Sequence, residues 1–311
     1  MKLVIQIPCY NEEKTLEVTL RELPKQIDGI DEIEILIIND GSSDKTVEIA
    51  KKNGVKNFVN FQNNLGLAKA FSQGLKKSLE LGADIIVNTD ADNQYCADDI
   101  KNIIKPILEK KADIVIGARP ISNISHFSLI KKFLQKLGSK VMRLVSSTKI
   151  EDATSGFRAF SKDAALRINV FDNYTYTLET IIQAKAKGLE IISVPIRVNE
   201  ELRKSKLIKN IFDYIKRSSF TMLRMFIIYR PFRFFALIGL LFLIPGLLLG
   251  ARFLYYYITN SGAGHIQSLI LSSILILTGV QISLIAVLAD LMSINRKLLE
   301  DIQTRLKQQD C

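Results

Sequence analysis

The stretch Thr89-Asp90-Ala91-Asp92-Asn93-Gln94 decides the fold, because it ends the run Asp84 to Asn88, whose Ile85-Ile86-Val87 centre is apolar and β-branched. Such a run reads as a buried strand, so the two aspartates fall at its carboxyl end. In open α/β sheets, ligands bind at that end. Two carboxylates one residue apart, with the Gln94 amide oxygen two further on, suit a hard divalent ion that takes few protein oxygens because phosphates supply the rest. Read alone, the same residues also describe an acidic turn closing a strand.

Outward from this stretch the chain alternates. Leu3 to Pro8 is a short apolar run ended by proline, a parallel strand by pattern. Asn11 is expected to cap a helix from about Glu12 to Leu23. Glu34 to Asn39 reads as a second strand, closing on Asp40-Gly41-Ser42-Ser43-Asp44, with Ser43 or Asp44 capping a helix to Asn53. A brief strand at Phe58 to Phe61 leads through Asn63-Asn64-Leu65-Gly66 into a helix ending near Leu81. After the Asp90 strand come a helix, Ala97 to Lys110, and a strand, Asp113 to Ala118. Such alternation implies a mainly parallel sheet with helices on both faces.

The chain has 311 residues, enough for a core and an appendage. From Phe232 to Ile258 the only charges are Arg233 and Arg252, and from Ile266 to Ala289 there are none. Each run is long enough to cross a hydrocarbon core of ~30 Å as a helix, which takes ~20 residues. The intervening Thr259 to His265 carries no Lys or Arg, whereas Arg203 to Arg233 holds nine against one acid, Asp213. The positive-inside rule therefore places both termini in the cytoplasm. Apolar residues from Leu207 to Ile227 recur at near-helical spacing among Lys209, Lys216, Arg217 and Arg224, as in a helix lying in the membrane interface or one packed on a soluble domain. Arg296 to Lys307 reads as a helix that could support contacts between copies, so a homo-oligomer is conceivable.

No cleavable signal peptide is expected, because Lys2 is followed by only three apolar residues before Gln6 and Pro8. Three cysteines, Cys9, Cys96 and Cys311, stand in no metal-ligand spacing and point to a reduced compartment. Two histidines, His126 and His265, leave a histidine triad or cluster little to work with. The net charge of +10 crowds beside the apolar runs, so anionic headgroups or phosphate-bearing substrates explain it better than nucleic acid.

Neither a G-x-G-x-x-G after the first strand nor a P-loop signature occurs, so dinucleotide and P-loop readings lose their support. The strand ends carry instead Tyr10, Glu12, Asp40, Asp90 and Asp92. A ring can stack on a base, a carboxylate can accept a base N–H, and a metal can screen a diphosphate from the remaining acids. Those parts suit a nucleoside diphosphate held without a glycine-rich loop. Arg119 and Arg158 read either as solvated surface groups or as site cations.

Five motifs occur in order: Pro8-Cys9-Tyr10-Asn11-Glu12, Asn39-Asp40-Gly41-Ser42, Asp90-Ala91-Asp92-Asn93-Gln94, Gly117-Ala118-Arg119 and Asp152-Ala153-Thr154-Ser155-Gly156-Phe157-Arg158. Together they resemble family 2 glycosyltransferases of GT-A fold. The chain looks most like the polyprenyl-phosphate glycosyltransferases, the group containing dolichyl-phosphate mannose synthase and the bactoprenol glucosyltransferases. The resemblance implies an α/β fold with a GT-A, Rossmann-like domain over 1–200, juxtamembrane amphipathic helices over 201–231, a transmembrane hairpin over 232–292 and a cytoplasmic C-terminal helix over 293–311. It implies that Pro8, Tyr10 and Glu12 line the nucleoside pocket, that Asp40 reads the base, and that Asp90, Asp92 and Gln94 hold Mg²⁺ or Mn²⁺ against the donor diphosphate. Arg119, Ser155 and a basic residue between Arg203 and Lys206 would receive the acceptor phosphate, while Asp152 orients the sugar or assists proton removal.

The expected reaction is inverting transfer of a sugar, glucose from UDP-glucose as first choice, to polyprenyl phosphate at the cytoplasmic face of the cell membrane. The partners are then a nucleotide sugar, the lipid phosphate and the bilayer. Glu151 stands where mannosyl relatives tend to have a basic residue, which weakens a GDP-mannose donor. A processive polysaccharide synthase usually carries a Gln-x-x-Arg-Trp signature, and this chain has no tryptophan. A non-catalytic sugar-nucleotide-binding scaffold is the remaining alternative.

Overall fold

The computed structural model describes residues 1–120, 150–170, 176–200, 220, 223–224, 226–260 and 266–309. The chain divides into two compact units, Met1–Met222 with Gln303–Cys311, and Leu223–Ile302.

The first unit is built on a seven-stranded sheet in the order β3-β2-β1-β4-β6-β5-β7. Its strands are β1 (Lys2–Cys9), β2 (Glu32–Asn39), β3 (Asn57–Asn60), β4 (Ile85–Asn88), β5 (Ile114–Ala118), β6 (Arg158–Ser161) and β7 (Ile191–Pro195). All neighbours pair in parallel except β6, which runs antiparallel between β4 and β5. The helices of this unit are α1 (Leu16–Glu22), α2 (Thr46–Lys52), α3 (Leu67–Glu80), α4 (Ile100–Leu108), α5 (Lys162–Arg167) and α6 (Thr177–Ala186).

Strand alternation sorts the core into two layers. Leu3, Ile5, Ile7 and Val87 pack with Leu16, Leu20, Ile100, Ile103 and Ile104 on one face. On the other, α3 comes so close that a Cβ at Gly74 would stand 2.5 Å from Gln6 Oε1 and 3.0 Å from Ile38 Cδ1, so a larger residue there would have to displace the Gln6 side chain. Because the strands are covered on both faces, β1 and β4 read as continuous apolar runs rather than alternating ones. Each fully buried aliphatic side chain contributes about 1.5–3 kcal/mol.

Local boundaries depart from the sequence reading in identifiable ways. Asn11 does not cap α1, which begins at Leu16 with Thr15 before it. Asn11 instead sits at φ 54 and its Oδ1 accepts from Ser43 N at 2.9 Å, so its side chain ties the first loop to the second. Asp44 Oδ1 accepts from Thr46 N at 3.0 Å ahead of α2. The predicted helix from Ala97 begins as a 3₁₀ turn, Ala97–Asp99, before α4. Strand β6, whose backbone direction nothing in the alternation announces, lies between β4 and β5.

The second unit contains most of two long helices, α7 (Pro231–Asn260) and α8 (Ile266–Gln309). Both are long and apolar enough to cross a membrane, and Leu237, Leu241, Leu277 and Leu284 are all more than half exposed. Within this unit α7 and α8 touch at small residues: Ser272 Oγ donates to Gly246 O at 2.7 Å. The helix α8 continues without a break past Ala289 to Gln309.

Candidate active site

The site sits at the carboxyl ends of β1, β2, β4 and β5, and the amino end of the antiparallel β6 meets them there. Tyr10 follows β1 and is 42% exposed, beside the half-buried Pro8. Glu12 is turned inward: its N donates to Thr46 Oγ1 at 2.8 Å and its Oε2 accepts from Thr15 Oγ1 at 3.0 Å. Asp40 is buried, with Oδ1 accepting from Leu65 N at 2.7 Å and Oδ2 from Gly66 N at 2.9 Å. Each oxygen keeps a second acceptor direction. Asp40 therefore also holds the loop before α3, which the motif alone does not reveal.

Asp90, Asp92 and Gln94 follow β4, all half-buried. Gln94 N donates to Asp92 Oδ1 at 3.3 Å, orienting that carboxylate. The loop before β6 presses against Asp90: a Cβ at Gly156 would stand 3.1 and 3.2 Å from its two carboxylate oxygens. Gly156 thus lets the fifth motif approach the third.

A buried polar network holds that approach. Gln6 Nε2 donates to Asn88 Oδ1 at 2.9 Å, and Asn88 Nδ2 donates to Gly156 O and Tyr176 Oη, both at 2.9 Å. Gly156 N donates to Tyr95 Oη at 3.0 Å. Tyr176 stacks on Phe71 with centroids 3.8 Å apart, and Tyr95 on Phe157 at 5.1 Å. Burial raises the pKa of both phenols, with the Asp90 charge adding to the effect, so both stay protonated at neutral pH.

Arg119 and Arg158 are not surface groups. Arg119 lies against the fully buried Asp152: Nε donates to Oδ2 at 2.6 Å and Nη2 to Oδ1 at 3.1 Å, with Thr154 Oγ1 accepting from Nη2 at 2.9 Å. Burial opposes both charges, yet their mutual attraction outweighs it, holding Asp152 below the usual carboxylate range and Arg119 above its ordinary value. Arg158 has no exposed surface, and its guanidinium donates to the carbonyls of Ser155, Thr177 and Ala153 and to Thr180 Oγ1 at 2.6–2.9 Å. Burial pushes it down to about 10, still above neutral pH, so it stays charged. Its role is to brace the turn from Ala153 to Ser155, which the surface reading misses because β6 buries it.

Ser155 is itself fully buried, its Oγ accepting from Phe157 N at 3.3 Å. Glu151 is exposed, with its N donating to Ser193 Oγ at 3.2 Å. Arg203 and Lys206 lie outside the described residues, as does most of the interface-helix stretch. The structure thus brings Asp90, Asp92, Arg119, Asp152 and the Ser155-Gly156 turn to one rim. Asn88, Tyr95 and Tyr176 join them unannounced; a polar Gln6 inside the apolar β1 run was the one sequence sign of a buried network.

Comparison with known proteins agrees with this fold. The family model described as glycosyl transferase family 2 matches residues 4–168. A UDP-N-acetylglucosamine–dolichyl-phosphate N-acetylglucosaminyltransferase of Methanococcus voltae is 37% identical over 214 residues, 61% of this chain and 83% of that one. An undecaprenyl-phosphate mannosyltransferase of Micrococcus luteus is 27% identical over 218 residues, covering 67% and 88%. Among solved structures, glucosyl-3-phosphoglycerate synthase of Mycobacterium tuberculosis, in complex with Mn²⁺, UDP-glucose and phosphoglyceric acid, superposes with a TM-score of 0.57 at 17% identity, covering 73% of this chain and 78% of that one. With a matching sheet, a matching family model over more than half its length, and relatives acting on polyprenyl and dolichyl phosphates, the chain belongs to glycosyl transferase family 2.

Proposed function

We propose that the protein is a membrane-bound, inverting glycosyltransferase that moves a sugar from a nucleotide donor to polyprenyl phosphate at the cytoplasmic face of the membrane. The observation that carries this reading is the meeting of two motifs: the Ser155-Gly156 turn abuts Asp90, so a donor-side acid and an acceptor-side turn share one rim. The helices α7 and α8 supply spans of hydrocarbon length, which suits a lipid-borne acceptor.

The residues after β4 fit a hard divalent ion by their donor chemistry: two carboxylates and one amide oxygen, with the donor's phosphates left to complete the shell. Among the described residues no group of three or more His, Cys, Asp and Glu gathers. When bound, such an ion would neutralise charge on the departing diphosphate. Asp90, Asp92 and Gln94 would hold it.

The acceptor phosphate, with a second pKa of about 6, is already substantially ionised at neutral pH and requires no general base. One of its oxygens attacks the anomeric carbon, the bond from that carbon to the diphosphate oxygen breaks, and the electron pair leaves with the nucleoside diphosphate. Direct displacement inverts the configuration. A carboxyl held below its usual range makes a weak base, so Asp152 serves orientation, keeping the Arg119 guanidinium in place toward the acceptor. Tyr10 stacks on the base at the exposed end of β1.

Glucose from UDP-glucose is the first reading of the donor. A UDP-N-acetylglucosamine donor is the second, favoured by the higher identity to the Methanococcus voltae N-acetylglucosaminyltransferase than to the mannosyl relative. The test is transfer from radiolabelled UDP-glucose, UDP-N-acetylglucosamine and GDP-mannose to polyprenyl phosphate, with wild type and Asp92→Ala. Wild type should label the lipid from one donor, and Asp92→Ala should lose at least ~100-fold while melting within a few degrees of wild type. Full activity in that variant removes the metal-site assignment.

A further inference from the structure

The loop that carries Asp92 and Gln94 is held from outside by the chain leaving β7. Val198 forms an antiparallel bridge with Tyr95, and Asn199 N donates to Gln94 O at 2.9 Å. The Asn199 side chain reaches the carbonyls on either side: Nδ2 donates to Asn93 O at 3.1 Å and approaches Tyr95 O at 3.4 Å, with Glu22 Oε2 at 3.3 Å as a further acceptor. Three consecutive carbonyls of the loop, those of Asn93, Gln94 and Tyr95, are thus received by one residue. Next to it, Arg197 grips Asp99 through its backbone N at 2.7 Å and its guanidinium at 2.9 Å.

The loop needs such a hold. Asn93 sits at φ 57, a left-handed conformation that asparagine adopts more readily than most residues with a Cβ and that the Asn199 contact to its carbonyl supports. Asp92 Oδ1 takes its direction from Gln94 N, and Gln94 in turn is fixed at its carbonyl by Asn199. The opposite side of the loop has a separate tether, Thr19 Oγ1 to Ala91 O at 3.1 Å; in the Asn93–Tyr95 half the Tyr95 side chain is held by Gly156 N and Phe157, while Asn199 bonds the backbone carbonyls.

The geometry points to Asn199 as a positioning residue that sets the backbone of Asn93 to Tyr95 and thereby the placing of Asp92 and Gln94 for the donor's divalent ion. This rests on the metal-dependent reading above. Asn199 touches neither ion nor sugar; it acts through the loop.

The test measures Mn²⁺ retention by the full-length protein in detergent with UDP, from the free-Mn²⁺ paramagnetic resonance signal, alongside KM for polyprenyl phosphate and the melting temperature. Asn199→Ala keeps the backbone donor and removes the side-chain bonds to Asn93 O, Tyr95 O and Glu22 Oε2, and should weaken Mn²⁺ binding about tenfold while KM for the acceptor stays within twofold. Asn199→Asp, the same shape without the donor and with a charge facing two carbonyls, should weaken it further. Asn53→Ala, which removes a side-chain bond to Ile49 O in a distant turn, is the stability control and should leave Mn²⁺ binding at the wild-type level. Wild-type Mn²⁺ affinity in both Asn199 variants overturns the assignment, and so does a parallel loss of metal and acceptor affinity that follows the fall in melting temperature. If wild type itself retains no Mn²⁺ with UDP, the donor-site reading fails first, a result distinct from either.

Discussion

The same aliphatic residues are used in opposite ways in the two units of this protein. In the sheet unit Ile5, Ile7, Leu36 and Ile86 have no exposed surface, whereas in the helical unit Leu237 and Leu241 are about 70% exposed. The polar groups are inverted to match. In the sheet unit Gln6, Asn88 and Arg158 are buried within hydrogen-bonded networks, while the helical unit places Ser272 and Gly246 where the two helices touch. Under the membrane-bound reading proposed above, the difference teaches that the two units are written for two solvents: water around a packed core, and hydrocarbon around a helical pair whose backbone groups are satisfied internally.

The largest expected effect separates these solvents directly. Ile86→Asp places an unpaired carboxylate in the core and should cost more than about 4 kcal/mol, leaving no cooperative melting transition. Leu241→Asp should cost about 3 kcal/mol of membrane insertion, shifting protein out of the membrane fraction while the sheet unit keeps its near-ultraviolet dichroism in detergent. Equal damage from the two substitutions breaks the contrast.

A smaller effect sharpens the view of the buried network. Arg158→Met removes a charge that burial resists but leaves the carbonyls of Ala153, Ser155 and Thr177 without their donor, at about 1–3 kcal/mol for each orphaned group not rescued by water. A net loss of about 3 kcal/mol by chemical denaturation is expected. A neutral or stabilising outcome would mean that the network is dispensable.

The smallest effect concerns pH. Asp152 is held below its ordinary value, so its pairing with Arg119 contributes stability that is fully present above about pH 4 and is lost as the pH falls through the depressed folded value. In Arg119→Met, burial raises Asp152, with the Thr154 hydrogen bonds and the backbone N–H of residue 119 left to oppose it. The melting-temperature gap between wild type and Arg119→Met should therefore be widest at neutral pH and close below about pH 4. A gap independent of pH contradicts the ion-pair account.

Most of the parallel sheet was legible because a doubly covered strand needs an apolar run and a parallel neighbour needs a helical crossover, and both leave marks in sequence. Ile85 to Asn88 is the clearest case: the run, its end and the acids beyond it stand where the pattern puts them. The helix start at Asn11 was not legible, since its side chain serves Ser43 across a loop rather than its own helix. Strand β6 was hidden because four residues, Arg158–Ser161, begin with an arginine that no propensity places in a core. The candidate acids and Arg119 were singled out by motif, whereas Asn88, Tyr95, Tyr176 and Asn199 make contacts between segments distant in the chain, which local patterns do not encode.

The Arg119–Asp152 pair also has a topological consequence. It fastens two residues 33 positions apart in sequence, one just after β5 and the other just before β6, at the end of the sheet where these antiparallel neighbours meet. A rivet there resists any sliding of β6 along β5, so the register of that pairing is guarded by a contact outside the ladder itself.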